Sequence, residues 1–88
     1  MPYCIDFTED AEQYLHQLPL NDSRRIKEKL LFLESVANPR KYLVKIEGKY
    51  QGKVYRYRIG VYRVLLTFKD QIMVIVVIDI GNRKNIYN

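Results

Sequence analysis

The segment at residues 54–68, VYRYRIGVYRVLLTF, constrains the fold more than any other part of the chain. Two runs of alternating side chains flank Gly60 and Val61, which indicates a β-hairpin closed by a two-residue turn with glycine in its first position. Such a turn fixes the pairing of the two strands and places Arg58 opposite Arg63. One face of the hairpin then receives only apolar and aromatic side chains, so we expect that face to pack beneath helices.

The other face of this hairpin gathers three arginines, Arg56, Arg58 and Arg63. Like charges directly opposite one another destabilise paired strands by about 0.2–1 kcal/mol, so a role in folding alone leaves this arrangement unexplained. Binding of an anion explains it. The alternative interpretation is that exposed arginines keep the sheet soluble, or that a different turn type unpairs Arg58 from Arg63.

Two helices are expected before the hairpin. Thr8 precedes EDAEQYLHQL, whose apolar residues recur at helical spacing and whose first turn is acidic, and Pro19 ends that helix. A second amphipathic helix follows. We expect Asn21 or Asp22 to cap it and Asn38-Pro39 to end it.

Alternation with a period of two marks the strands: YCIDF before the helices, then YLVKI, VYRYRI, YRVLLTF and IMVIVVIDI after them. The order β-α-α-β-β-β predicts an α+β fold, in which a helical hairpin packs on one face of an antiparallel sheet. A chain of 88 residues suits a single domain spanning residues 1–88.

Several classes of protein are disfavoured by the composition. The single cysteine, Cys4, rules out an internal disulfide, and we expect it to be a small buried residue. We expect His16 to lie on the surface, and with no carboxylates clustered near the arginines we expect neither a metal site nor a cofactor. No secretory signal is visible, and the apolar run Ile72–Ile78 is far shorter than the roughly 20 residues that span a bilayer. These features predict a cytoplasmic protein without a membrane partner.

Charge is segregated along the chain, whose net charge is +5. Residues 1–22 carry five acids and no lysine or arginine, whereas residues 40–69 carry nine basic residues and one acid. Such segregation indicates a basic surface for a polyanion such as nucleic acid, an anionic membrane or an acidic protein. The alternative is a solvated basic face with no ligand.

The carboxyl-terminal segment IGNRKNIYN follows the last predicted strand. Arg83 and Tyr87 are four residues apart, so they share one side if the segment is helical. A frayed basic tail is the alternative interpretation.

With these residues in place, the chain resembles the RelE/ParE toxin family, and within it the RelE-like branch of ribosome-dependent messenger RNA endonucleases. The resemblance runs from YCIDF to the end and is most specific in KIEGKYQGKVYRYRIGVYRVLLTF and IDIGNRKNIY. It implies a microbial-ribonuclease-like fold and the toxin of a type II toxin–antitoxin system, which cleaves mRNA in the ribosomal A site and thereby inhibits translation. It also implies an acidic RelB-like antitoxin that binds the toxin in a hetero-oligomer.

The resemblance further implies a metal-independent reaction, in which a ribose 2′-hydroxyl attacks the adjacent phosphate and leaves a 2′,3′-cyclic phosphate. The implied catalytic residues are two on the catalytic strand, one after the hairpin and two in the tail: Arg56, Arg58, Arg63, Arg83 and Tyr87. Lys53 and Lys84 are expected to bind RNA.

This sequence departs from the family pattern at Arg56 and Arg58, where well-known members have lysines. Because a guanidinium with a pKa above roughly 12 does not accept a proton near neutrality, the general base is unassigned among Lys53, Lys84 and Tyr87. Two alternatives to the nuclease stay open. One is the gyrase-targeting ParE-like branch, against which the Arg83 and Tyr87 ending argues, and the other is a non-catalytic module that binds RNA or an acidic protein.

Overall fold

A computed structural model describes residues 2–46 and 53–82 of the chain. The elements follow the order β1 (Cys4–Phe7), α1 (Glu9–Gln17), α2 (Leu20–Ser35), β2 (Val44–Ile46), β3 (Val54–Ile59), β4 (Tyr62–Lys69) and β5 (Val74–Asn82). Two short 3-10 helices, Pro39–Tyr42 and Asp70–Ile72, precede β2 and β5. The predicted α+β fold is confirmed. The predicted order β-α-α-β-β-β was one strand short, because four strands follow the helices.

Within the described residues the sheet has five strands, in the order β1-β5-β4-β3-β2. Strands β2 to β5 pair in antiparallel fashion, but β1 pairs with β5 in parallel, with Cys4 opposite Val74. The sheet is therefore mixed, and the expectation of a wholly antiparallel sheet was wrong in this respect. Alternation specifies which face a side chain takes, whereas it carries no information on the direction of the neighbouring strand.

The first helix begins as its sequence predicts. Thr8 is the N-cap, and its Oγ1 accepts a hydrogen bond from the backbone N–H of Ala11 at 3.2 Å. The helix ends at Gln17, just before Pro19. Capping by a threonine side chain satisfies one of the four backbone donors that a helix leaves unpaired at its start.

The second helix begins earlier than predicted. Its N-cap is Pro19 and not Asn21 or Asp22, because the Pro19 carbonyl already accepts hydrogen bonds from the N–H groups of Asp22 and Ser23, each at 3.0 Å. The helix also ends at Ser35, before the predicted stop at Asn38-Pro39. The early start frees the Asp22 carboxylate for a contact with the sheet.

The core lies between the two helices and one face of the sheet. It is formed by apolar residues of both layers: Ala11, Leu15, Ile26, Leu30 and Leu33 from the helices, and Ile59, Tyr62, Val64, Leu66, Ile75, Val77 and Ile80 from the strands. Burying one such large side chain contributes about 1.5–3 kcal/mol, so this layer is the main source of stability. No helix of residues 2–46 and 53–82 covers the opposite side of the sheet, which we call the open face.

The hairpin has the predicted register. Ile59 pairs with Tyr62 and Arg58 with Arg63, and the turn residue Gly60 has a φ of +59°. A Cβ at this glycine would lie 3.1 Å from Nη1 of Arg25. Glycine suits the turn because a left-handed backbone is costly for residues that carry a Cβ.

Two tyrosines of the hairpin connect it to α2. The Tyr62 hydroxyl donates to Oδ2 of Asp22 at 2.7 Å, and the Tyr57 hydroxyl donates to the Lys29 carbonyl at 3.3 Å. The hydrogen bond to Asp22, together with burial, raises the pKa of Tyr62 to about 12. Burial also raises the pKa of Tyr57. Both contacts hold the helical layer in one position over β3 and β4.

Two single-residue predictions have different outcomes. His16 is exposed, as expected. Cys4 was expected to be buried but is exposed, because β1 is an edge strand and this side chain points away from the core.

Candidate functional site

The open face carries the three hairpin arginines. Arg56 and Arg58 lie on β3 and Arg63 lies on β4, and all three occupy positions that alternate with the helix-facing core residues. Arg58 is exposed, whereas Arg56 and Arg63 are half-buried. The structure therefore brings together three of the predicted site residues.

Arg58 and Arg63 are direct partners across the hairpin. Over residues 2–46 and 53–82, neither guanidinium forms an ion pair with an acid. The Nε of Arg63 is buried and has no hydrogen-bond partner among the described residues. A buried donor left unsatisfied costs about 1–3 kcal/mol, so the position of Arg63 opposes folding, as its pairing with Arg58 does.

The surface beside these arginines is apolar. Arg56 faces Leu65 across the hairpin, and Leu65 and Val54 are only 2% and 4% exposed although they lie on the open face. At the sheet edge Val44, the partner of Arg56 on β2, is 54% exposed. Apolar neighbours lower the local dielectric constant and so strengthen the attraction of a guanidinium for an anion.

Asp79 is a residue of the open face that sequence reasoning missed. It lies on β5 opposite Leu65, is exposed, and has no hydrogen bond or ion pair with any described residue. Alternation counted from the buried Ile75 and Val77 would direct Asp79 towards the helices. The pairing with β4 is irregular at this point: Leu66 pairs with Val77, but the preceding residue Leu65 pairs with Asp79. Asp79 therefore lies on the open face. A charged residue inside an otherwise apolar strand was the available signal.

Of the other predicted site residues the structure describes only Lys53, which it does not bring to the arginine pair. Lys53 is exposed and precedes β3, five residues from Arg58 or roughly 17 Å along an extended strand. Its charge instead contributes to lowering the pKa of Asp70. The predicted tail residues Arg83, Lys84 and Tyr87 lie outside the described residues.

A second cluster of side chains, which sequence reasoning also missed, is centred on Arg40. Its guanidinium donates to both carboxylate oxygens of Asp70, at 2.8 and 3.1 Å, and to the hydroxyls of Tyr55 and Tyr3 at 3.2 and 3.4 Å. The same group lies 3.9 Å from the centroid of the Phe68 ring. Burial lowers the pKa of Arg40, but these hydrogen bonds outweigh it and raise the pKa overall. Arg40 thus fixes the segment before β2 to the sheet, and its charge is already paired.

The described part of the chain has neither a candidate metal site nor a membrane-spanning helix. Residues 2–46 and 53–82 contain no group of three or more histidine, cysteine, aspartate or glutamate side chains placed to hold a metal ion. No helix within those ranges is long and apolar enough to cross a membrane.

Comparison with known proteins gives matches among solved structures. No family model matches the chain, and no curated protein matches it in sequence. A chain of the archaeal RelE–RelB complex from Pyrococcus horikoshii OT3 is 30% identical, with a TM-score of 0.76, and the match covers 94% of this chain and 97% of that one.

Two further structures have the same fold. A chain of a RelBE toxin–antitoxin complex from Mycobacterium tuberculosis is 25% identical with a TM-score of 0.82, covering 94% of this chain and all of that one. The isolated RelE toxin of E. coli is 23% identical with a TM-score of 0.73, covering 91% of this chain and 83% of the toxin. Because the archaeal match reaches 30% identity over nearly the whole of both chains, this chain belongs to the RelE family of toxins.

Proposed function

We propose that this protein is a ribosome-dependent endoribonuclease, the toxin of a toxin–antitoxin pair, which cuts mRNA in the A site and so inhibits translation. The observation that carries the proposal is the Arg58–Arg63 pair on the open face, where neither guanidinium forms an ion pair with a described acid. Two opposed guanidinium groups without an acidic partner suit the phosphate of a nucleic-acid backbone. Membership of the RelE family supports the same assignment.

The pair would act as a clamp on the scissile phosphate. A guanidinium presents a planar fork of donors, which matches two non-bridging phosphate oxygens better than a single ammonium does. When the 2′-hydroxyl attacks, negative charge on those oxygens grows, and fixed donors stabilise it without reorganisation. Arg56, two residues along the same strand, would bind the adjoining part of the RNA backbone.

The tail residues would complete the site. Gly81 on β5 is the direct partner of Arg63, so the carboxyl-terminal end of β5 lies beside the clamp. We propose that Arg83 adds positive charge to the transition state and that Tyr87 stacks on a base or orients the attacking hydroxyl. Lys84 and Lys53 would bind RNA further from the scissile bond. The ribosome would hold the substrate in the reactive conformation, so the toxin itself would need few catalytic groups.

The proposed partner is an acidic antitoxin of the RelB type. The net charge of +5 and the cations of the open face favour an acidic chain that becomes ordered on contact. Structures of RelE proteins bound to RelB support this choice. A cytoplasmic location follows from the proposed action on ribosomes.

Cleavage on programmed ribosomes tests the proposed activity. The purified protein should cut A-site mRNA and leave a 2′,3′-cyclic phosphate, while free RNA of the same sequence should stay largely intact. A chelator of transition metals that spares the ribosomal Mg²⁺ should not change the rate. Arg83→Ala should lower the rate by roughly 10- to 1,000-fold, whereas Arg24→Ala, on the exposed surface of α2, should not.

Other outcomes would identify other functions. If ribosome-bound RNA stays intact while the protein blocks DNA supercoiling by gyrase, the ParE-like alternative is correct. If neither activity is found but RNA or an acidic protein binds, the protein is a binding module.

Co-purification tests the partner. The product of an adjacent gene encoding a short acidic protein should bind at submicromolar concentration and suppress cleavage. Absence of binding at micromolar concentrations would exclude that product as the antitoxin.

A further inference from the structure

We propose that Asp79 is the general base that takes the proton from the attacking 2′-hydroxyl. This role rests on the proposed nuclease function and assigns a residue to the step that the arginines leave open. A guanidinium is a donor only, whereas an ionised carboxylate is an acceptor only. Because Arg56 and Arg58 stand where a titratable base was expected, another residue has to accept the proton.

Among the carboxylates of the described residues, only Asp79 lies beside the clamp and forms no hydrogen bond or ion pair. Among the described residues, the open face carries a second aspartate, Asp6 on β1, which lies one strand further from the arginines. The Oδ1 of Asp6 accepts a hydrogen bond from the N–H of Phe7 at 2.9 Å. Asp79 makes no such contact and is exposed.

The backbone directs Asp79 to this face through a local irregularity. Between the core residues Val77 and Ile80 the strand holds two residues instead of one, so a β-bulge at Ile78 and Asp79 resets the alternation. Such bulges occur next to active sites, where they redirect a side chain. Without the bulge the carboxylate would point into the apolar layer beneath the helices.

The bulge also sets the distance to the clamp. Leu65, the partner of Asp79, lies two residues from Arg63 on β4, so Asp79 and Arg63 are diagonal neighbours with Cα atoms about 7–8 Å apart. They form no ion pair with one another. A carboxylate and an unpartnered guanidinium at this separation can contact one nucleotide together, the arginine at the phosphate and the aspartate at the ribose.

The proposed step moves one proton to Asp79 and exchanges one bond at phosphorus for another. The Asp79 carboxylate takes the proton of the 2′-hydroxyl as the 2′-oxygen forms a bond to phosphorus. The bond from phosphorus to the 5′-oxygen of the next nucleotide breaks, and that oxygen leaves with the electron pair and takes a proton from water. The products are a 2′,3′-cyclic phosphate and a 5′-hydroxyl, and Asp79 then returns its proton to solvent.

A role in RNA binding alone does not account for Asp79. A negative charge on the face that meets a polyanion weakens binding, so removing that charge should leave affinity unchanged or increase it. Loss of a general base lowers the rate of the chemical step instead. Removing the charge should therefore leave RNA affinity unchanged or higher and lower the cleavage rate, so separate measurements of binding and cleavage test the role.

The test compares single-turnover cleavage on programmed ribosomes for wild type, Asp79→Asn and Asp79→Glu, with Glu28→Gln on the exposed surface of α2 as the control for loss of one acid. Binding is measured on ribosomes whose A-site nucleotide is 2′-deoxy and cannot react. Thermal unfolding shows whether each variant is folded.

We expect Asp79→Asn to cleave about 100- to 10,000-fold more slowly at saturation while binding at least as tightly as wild type. Asp79→Glu, which keeps a carboxylate, should recover at least tenfold of that loss, and Glu28→Gln should match wild type. A folded Asp79→Asn that cleaves within threefold of wild type would overturn the role of Asp79 and leave the nuclease standing. If wild type itself does not cleave, the nuclease and this role both fall.

Discussion

Arg58 and Arg63 face one another across a two-residue turn, with no acid paired to either within the described residues. The turn enforces this arrangement, because the position of Gly60 fixes which residues of β3 and β4 are partners. The pairing opposes folding and at the same time places two guanidinium groups side by side on the open face. The same pair therefore lowers the stability of the fold and supports the proposed activity.

Replacing Arg58 should separate these two effects. Arg58→Thr removes the repulsion and places a strand-forming residue on an exposed position, so we expect the free energy of unfolding to rise by about 0.2–1 kcal/mol. Ribosome-dependent cleavage should fall in the same variant. Urea denaturation and single-turnover cleavage measure the two properties, with Lys45→Thr on β2 as the control for loss of one cation. A decrease in stability with Arg58→Thr would show that the pair is not repulsive.

Arg63 should matter for its shape as well as its charge. Arg63→Ala removes the donors nearest the proposed phosphate, and we expect cleavage to slow by roughly 10- to 1,000-fold. Arg63→Lys keeps the charge but loses the fork and Nε, so its rate should lie between those of Arg63→Ala and wild type. Equal rates for the lysine variant and wild type would mean that charge alone is sufficient.

The hairpin was predictable from sequence because its register follows from one short-range feature. Gly60 allows the tight turn, and strict alternation then assigns Arg56, Arg58 and Arg63 to one face. The same reasoning gave the Thr8 cap, because capping depends on residues within one turn of the helix.

The features that could not be predicted depend on contacts between distant parts of the chain. The parallel pairing of β1 with β5 joins residues about 70 positions apart. The bulge that redirects Asp79 is defined by the pairing with β4, and its one local sign in IMVIVVIDI is the charge of Asp79, which does not by itself specify a bulge. The contact of Arg40 with Asp70 likewise forms only once the sheet is assembled. Such arrangements require the packed structure, because no local propensity specifies them.

The turn residue Gly60 should be sensitive to substitution. Gly60→Ala places a Cβ on a backbone with φ of +59°, which we expect to cost about 1–2 kcal/mol. The nearby Nη1 of Arg25 is the end of a flexible exposed side chain and can move, so the cost should come from the backbone. Gly60→Asn should lose less, because asparagine tolerates the left-handed region. Equal losses in the two variants, measured in urea, would point to steric contact instead.

The Arg40–Asp70 contact should make stability depend on acid. Hydrogen bonds from Arg40 and from Tyr3 lower the pKa of Asp70 below its ordinary value of 3.8. A carboxyl whose pKa is lower in the folded state stabilises the protein above its unfolded pKa, and that contribution is lost as pH falls through the folded value. Asp70→Asn should therefore lower the melting temperature at pH 7 and flatten its decline below about pH 4. Glu28→Gln is the matched control, and an unchanged acid dependence in Asp70→Asn would contradict the assignment.

The hydrogen bond from Tyr62 to Asp22 should govern stability in alkali. Because the contact raises the pKa of Tyr62 to about 12, its contribution is fully present below the unfolded pKa of 10 and is lost as pH rises from 10 towards 12. Tyr62→Phe keeps the buried ring but removes the hydroxyl, and we expect it to lower the free energy of unfolding at pH 7 by about 1.5–3 kcal/mol, the range for a hydrogen bond to a charged group. Its stability should also vary less than that of wild type between pH 10 and 12. Urea denaturation at pH 7, 10 and 11.5 measures both effects. Tyr42→Phe, at an exposed position, is the control for loss of one phenol, and a Tyr62→Phe variant with wild-type stability at pH 7 would show that this contact does not hold α2 to the hairpin.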